Sequence, residues 1–80
     1  MDKRLKTFAI RLKLLRDERG WSQEELAEKL GTSKSNISYY ENCKREPGFT
    51  VISDLRKIFN EDADWIMGDS DVRLIKKIAN

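Results

Sequence analysis

The sequence predicts an all-α fold, a compact bundle of four to five short helices. Three observations carry that prediction. Apolar residues recur at three- and four-residue intervals along most of the 80 residues. Helix start and stop residues punctuate those intervals. No stretch alternates apolar and polar side chains as a half-buried strand would, and there is no internal repeat and no low-complexity linker.

Leu5, Phe8, Leu12 and Leu15 mark the buried stripe of a first helix, which Gly20 ends. Ser22 followed three residues later by Glu25 is a capping box, with serine and glutamate each serving a first-turn N–H, so a second helix starts there. That helix turns Leu26, Ala27 and Leu30 inward and stops at Gly31, which tolerates a left-handed C-terminus. Ser33 is the expected N-cap of a third helix, in which Ile37 and Tyr40 face inward while Lys34, Ser35, Ser38 and Tyr39 point elsewhere.

Glu46-Pro47-Gly48 is the strongest break in the chain. Phe49, Ile52, Leu55, Ile58 and Phe59 then give a fourth helix a wide apolar face, with Asn60 as its C-cap. Asp62 is placed to cap a short fifth helix that holds Trp65 and Ile66 before Gly68. Beyond Asp69, Val72, Ile75, Ile78 and Ala79 make a further marginal amphipathic turn or two. The aromatic residues Phe8, Trp21, Tyr40, Phe49, Phe59 and Trp65, with Ile37, are assigned to the core or its edge, because helical spacing of rings signals packing.

Composition bounds the function. With 39% hydrophobic and 38% charged residues, the chain is one domain near the lower size limit of a single unstapled core. The single cysteine, Cys43, allows no intramolecular disulfide, which points to a reducing cytoplasmic setting. There is no histidine, no metal-spaced Cys/His cluster, no nucleophile elbow and no phosphate-binding glycine loop. These absences argue against an enzyme, a small-molecule substrate and any cofactor. No segment approaches the roughly 20 apolar residues needed to span a bilayer. Net charge is only +2, but residues 1–19 carry seven Lys/Arg against three acids and residues 49–64 two against four, which predicts a positive and a negative part of the surface.

The third helix poses the functional question. Thr32, Ser33, Ser35, Asn36 and Ser38 are middling or poor helix formers, placed just past a glycine and before an apolar turn. Two short helices joined at a glycine, the first capped and apolar inside, the second polar outside, form a helix-turn-helix arrangement. The second helix of such a pair protrudes, and a major groove about 12 Å wide admits one helix with small polar side chains at its leading end.

The run SQEELAEKLGTSKSNISYYENCKREP, the apolar fourth helix, DADWIMGD and the preceding basic helix with Arg16 resemble the lambda-repressor-like, or Cro/CI-type, helix-turn-helix family over residues 4–68. The resemblance implies double-stranded DNA as partner, with residues 1–68 as the DNA-binding domain and residues 69–80 as a tail that is either a dimerisation segment or the start of a linker. It implies base contacts from Ser33, Lys34, Ser35 and Tyr39, with Asn36 and Ser38 flanking that row. Ser22, Gln23, Asn42, Lys44 and Arg45 fall where the family contacts phosphates, and Gln23 is further expected to brace the start of helix three. Arg16 and Glu41 match a structural ion pair. Family members commonly carry glycine where this chain has Cys43, so cysteine must strain or alter the turn there.

The function these residues imply is sequence-specific transcriptional regulation, as a repressor occupying a palindromic operator as a homodimer. Trp65, Ile66, Met67, Val72, Ile75 and Ile78 are the candidate dimer interface, unless the chain is the front part of a longer repressor. The alternative is an antitoxin-like protein-interaction module for which DNA binding is secondary.

Overall fold

The computed structural model describes residues 2–73, and these form five helices: α1 (Lys3–Glu18), α2 (Gln23–Leu30), α3 (Lys34–Glu41), α4 (Phe49–Phe59) and α5 (Ala63–Met67). Local chemistry explains most of their ends. Asp2 caps α1 by accepting from the Arg4 N–H at 2.8 Å, a bond that holds its carboxyl below the usual carboxylate range. At α2, the Ser22 hydroxyl accepts from the Glu25 N–H at 3.0 Å and the Glu25 carboxylate accepts from the Ser22 N–H at 2.8 Å, a complete capping box. Gly31 and Asn60 end α2 and α4 in the left-handed conformation. Asp62 stands at the N-cap of α5, but its side chain makes no cap bond.

The core is continuous across all five helices. Phe8, Leu12 and Leu15 of α1 meet Leu26 and Ala27 of α2, Ile37 and Tyr40 of α3, Ile52, Leu55 and Phe59 of α4, and Trp65 and Ile66 of α5. Helix α3 packs on α1 and α2, α4 on α2, and α5 on α1 and α4. The Phe8 and Tyr40 rings meet edge-on at 5.9 Å, which links α1 directly to α3. Trp21 packs at the core edge against Phe59.

Two expectations about apolar residues need correction. Phe49 is 97% exposed and not part of the core. It is the first residue of α4, and helical side chains lean toward the N-terminus, so its ring projects beyond the helix end where no element covers it. Trp65 and Ile66, expected at a dimer surface, are only 5% and 0% exposed. Because α5 is a single short turn against α1 and α4, these two residues are consumed within the chain, while Met67 is half-buried.

Residues 69–73 fold back onto this body. Arg4 donates to Asp69 at 3.2 Å, and Arg11 donates to the carbonyls of Trp65 at 2.5 Å and Ser70 at 2.8 Å. Arg73 reaches the buried Glu61 at 3.1 Å and Glu18 at 2.6 Å, and both carboxylates, Glu18 first, raise the affinity of its guanidinium for its proton. Val72 is exposed, and no helix includes it. Ile75, Ile78 and the amphipathic turn expected around them lie outside the described residues.

One carboxylate sets the position of α3. Glu41, whose side chain is 4% exposed, accepts from Arg16 Nε at 2.8 Å, Arg16 Nη2 at 3.0 Å and Gln23 Nε2 at 3.0 Å. Arg16 Nη1 meanwhile donates to the Trp21 carbonyl at 2.8 Å. Just past α3, Lys44 N–H bonds to the Tyr39 carbonyl at 2.8 Å and Cys43 N–H to the Tyr40 carbonyl at 3.3 Å, the paired bonds of a Schellman turn. That turn needs a left-handed residue, and Cys43 supplies it with φ of 59°. Cysteine is therefore strained here and the turn is kept.

Three stability outcomes follow. Arg16→Ala leaves the Glu41 carboxylate buried with one donor, so unfolding free energy should fall by about 3–5 kcal/mol in urea titrations. Cys43→Gly removes a left-handed side-chain penalty and should stabilise by about 0.5–1 kcal/mol after the unfolded-state cost of glycine. Gly31 and Gly68 both have positive φ, but a Cβ at Gly31 meets open space while one at Gly68 lies 3.3 Å from Arg4 Cα and Thr7 Cβ. Gly68→Ala should therefore lower the urea midpoint further than Gly31→Ala.

Candidate nucleic-acid interface

The exposed side of α3 begins at Ser33, whose hydroxyl accepts from the Asn36 N–H at 3.1 Å and so is committed as the helix cap. Lys34 and Ser35 follow and are exposed. Among the described residues their side chains make no hydrogen bond or ion pair, and neither does that of Lys44. Tyr39, one turn further along, is 45% exposed. Lys34, Ser35 and Tyr39 thus form a polar strip on the side of α3 opposite Ile37 and Tyr40, which are buried.

Other expected contact residues are already bonded within the chain. Asn36 Nδ2 donates to Thr32 Oγ1 at 3.0 Å, and Asn36 Oδ1 accepts from Arg45 Nη1. The Arg45 guanidinium also lies 5.0 Å from the centre of the Tyr39 ring. Asn42 Nδ2 donates to the Ser38 carbonyl at 2.8 Å and the Ser38 hydroxyl at 3.2 Å, closing the last turn of α3. Gln23 corrects an expectation. It braces the end of α3 through Glu41, not its start, because the Glu41 carboxylate, held in place by Arg16, accepts from its amide nitrogen.

The flank of this strip is built from α2. Ser22 and Gln23 stand at its N-terminus, with the Ser22 hydroxyl used in the capping box. Lys44 lies past the C-terminus of α3 and is exposed. The strip and its flank come from one continuous stretch, residues 22–45, whose two helices pack on each other. Thr32, which sequence reasoning did not single out for a contact, is half-buried in the turn and holds Asn36. The polar run Thr32–Asn36 contained that residue but gave no sign of the bond.

Among the described residues, no group of three or more Cys, Asp or Glu side chains is arranged to hold a metal ion. No described helix is long and apolar enough to cross a membrane. The basic N-terminal region is not a simple positive surface. Arg16 is buried, and Arg11 and Arg19 are directed to the carbonyls of Trp65 and Phe59.

Comparison with known proteins agrees with this geometry. The model of the helix-turn-helix family matches residues 12–66. The chain is 36% identical over 62 residues to the HTH-type transcriptional regulator ImmR of Bacillus subtilis, covering 78% of this chain and 49% of ImmR. It is 36% identical over 76 residues to the HTH-type transcriptional regulator PrpR of Mycobacterium tuberculosis, covering 94% of this chain and 16% of PrpR. Antitoxin HipB of Escherichia coli is 40% identical over 51 residues, covering 64% of this chain and 54% of HipB. The chain thus spans about half the length of ImmR and HipB and a small part of PrpR. The crystal structure of a hypothetical transcription factor, NHTF, from Neisseria superposes with a TM-score of 0.74 at 23% identity, over 98% of this chain and 84% of that one, and so shares the fold. Capped α2, the glycine turn, polar α3 and the family match over residues 12–66 together show that the chain belongs to the Cro/CI-type helix-turn-helix family of DNA-binding transcriptional regulators.

Proposed function

We propose that this domain represses transcription by occupying a palindromic operator, with α3 in the major groove. The observation that carries this reading is the strip of Lys34, Ser35 and Tyr39, exposed on a helix whose far side is buried and whose end is fixed by Glu41. Lysine donates to guanine O6 and N7, serine donates or accepts, and tyrosine offers a hydroxyl and an apolar face to a thymine methyl. Ser33, Asn36 and Ser38 border the strip and complete the base-facing row. Ser22, Gln23, Asn42 and Lys44 flank it and would meet phosphates, which set register without reading sequence. Arg45, expected among them, is turned back over α3.

One domain of this size makes few base contacts, so operator specificity calls for two copies on half-sites about 34–36 Å apart. On this reading residues 1–68 are the DNA-binding unit and residues 69–80 are a tail that is either a dimerisation segment or the start of a linker. With Trp65 and Ile66 in the core, Met67 and Val72 are the described members of the candidate dimer face. Such a regulator acts in the cytoplasm, where bacterial DNA lies. The similarity to HipB supports a second reading, an antitoxin-like module whose main partner is a protein.

Selection of bound sites from a random DNA pool, at near-physiological salt, separates the two. An enriched palindrome with fixed half-site spacing, and affinity that falls steeply with salt, is the expected result. No enrichment over bulk DNA would favour the protein-partner reading.

On the enriched site, Lys34→Ala should relax preference at one base pair per half-site. Lys44→Ala should weaken all sequences about equally and reduce the salt slope by about one. Equal, sequence-blind losses from both variants would remove Lys34 as a base reader.

A further inference from the structure

Four side chains from three parts of the chain meet on the exposed face of α3. Thr32 belongs to the turn before the helix, Asn36 and Tyr39 to successive turns of it, and Arg45 to the turn after it. Thr32 Oγ1 takes one amide proton of Asn36 at 3.0 Å, which leaves Asn36 Oδ1 directed at Arg45 Nη1. The same guanidinium covers the Tyr39 ring at 5.0 Å. A planar fork can donate in its plane and stack through its face at once, whereas a lysine ammonium in its place would serve one partner or the other.

We propose that Arg45 is a positioning residue, which sets Asn36 and Tyr39 for base reading before DNA arrives, and is not a phosphate contact. The inference rests on the DNA-binding reading above. A half-buried asparagine and an exposed tyrosine would otherwise sample several rotamers, and ordering them only on binding would weaken discrimination between sequences. Arg45 removes that freedom in the unbound protein by holding both side chains from one point. Lys44, the neighbouring cation, has no such partner among the described residues and keeps its charge available to the DNA backbone.

The test compares the wild-type chain with Arg45→Lys, Arg45→Ala, Asn36→Ala and Tyr39→Ala by site selection and salt titration on the selected operator. Arg45→Lys keeps the charge. It should leave bulk-DNA affinity within about twofold and the salt slope unchanged, yet reduce discrimination about tenfold at the base pairs that Asn36→Ala and Tyr39→Ala also flatten. If Arg45→Lys retains wild-type preferences while Arg45→Ala weakens all sequences equally and lowers the salt slope by about one, Arg45 is a phosphate contact and the proposal fails.

NMR of the unbound protein gives a second measure. Both Arg45 variants should shift the Tyr39 ring protons and leave those of Trp21 in place. Unmoved Tyr39 resonances would overturn the proposal even if DNA binding changed. A wild-type chain that enriches no sequence would overturn the DNA-binding reading itself, and this inference with it. Uniform losses on a well-defined operator would overturn only the role assigned to Arg45.

Discussion

The Glu41 carboxylate is the point on which the arrangement of helices depends. Three donors from two residues converge on it, Arg16 from α1 and Gln23 from the first position of α2, while Glu41 itself ends α3. A buried ion pair gains stability only when its hydrogen-bonding capacity is filled. That condition is met here, since Arg16 also donates to the Trp21 carbonyl and no buried side-chain nitrogen or oxygen among the described residues lacks a partner. The angle between α2 and α3 is therefore held by electrostatics at one end and by Leu26, Ile37 and Tyr40 along its length.

Fixing α3 in this way gives its two sides different chemistry. Ile37 and Tyr40 spend their surface on the core, and Ser33 and Asn42 each place a side-chain hydrogen bond at a helix end. What remains is a short row in which Lys34 and Ser35 have unspent donors and Tyr39 is 45% exposed. The helix that carries this row is held by its buried side, while Lys34 and Ser35 keep their side-chain freedom.

Arginine is the recurring fastener in a domain with no disulfide. Arg11 ties α1 to the end of α5, Arg19 ties it to the last carbonyl of α4, and Arg73 joins Glu18 to the buried Glu61. Arg11 and Arg73 also both lie over the Trp65 ring, at 4.6 and 4.8 Å. Part of the basic charge that marks the N-terminal region in the sequence, that of Arg11, Arg16 and Arg19, is consequently directed to partners in the fold. Lys34 and Lys44, in a stretch whose composition attracts less notice, are exposed and have no side-chain partner among the described residues.

What the sequence determined by itself was local. Ser22 with Glu25, Ser33, Gly31 and Asn60 mark helix ends because caps are made between residues a few positions apart, and the apolar intervals place Phe8, Leu12, Leu26, Ile37 and Leu55 inside. The Arg16 and Glu41 pairing came from resemblance to a family, since nothing in their spacing of 25 positions announces a contact. Only the tertiary structure decided that Phe49 faces solvent, that Trp65 and Ile66 are core and that Glu61 is buried beneath Arg73. It also decided that Gln23 serves the far end of α3 and that Arg45 folds back onto Asn36 and Tyr39. The physical reason is common to all of these. A cap or an amphipathic stripe is written in neighbouring residues, whereas exposure and hydrogen-bond partnership depend on which distant element comes to lie alongside.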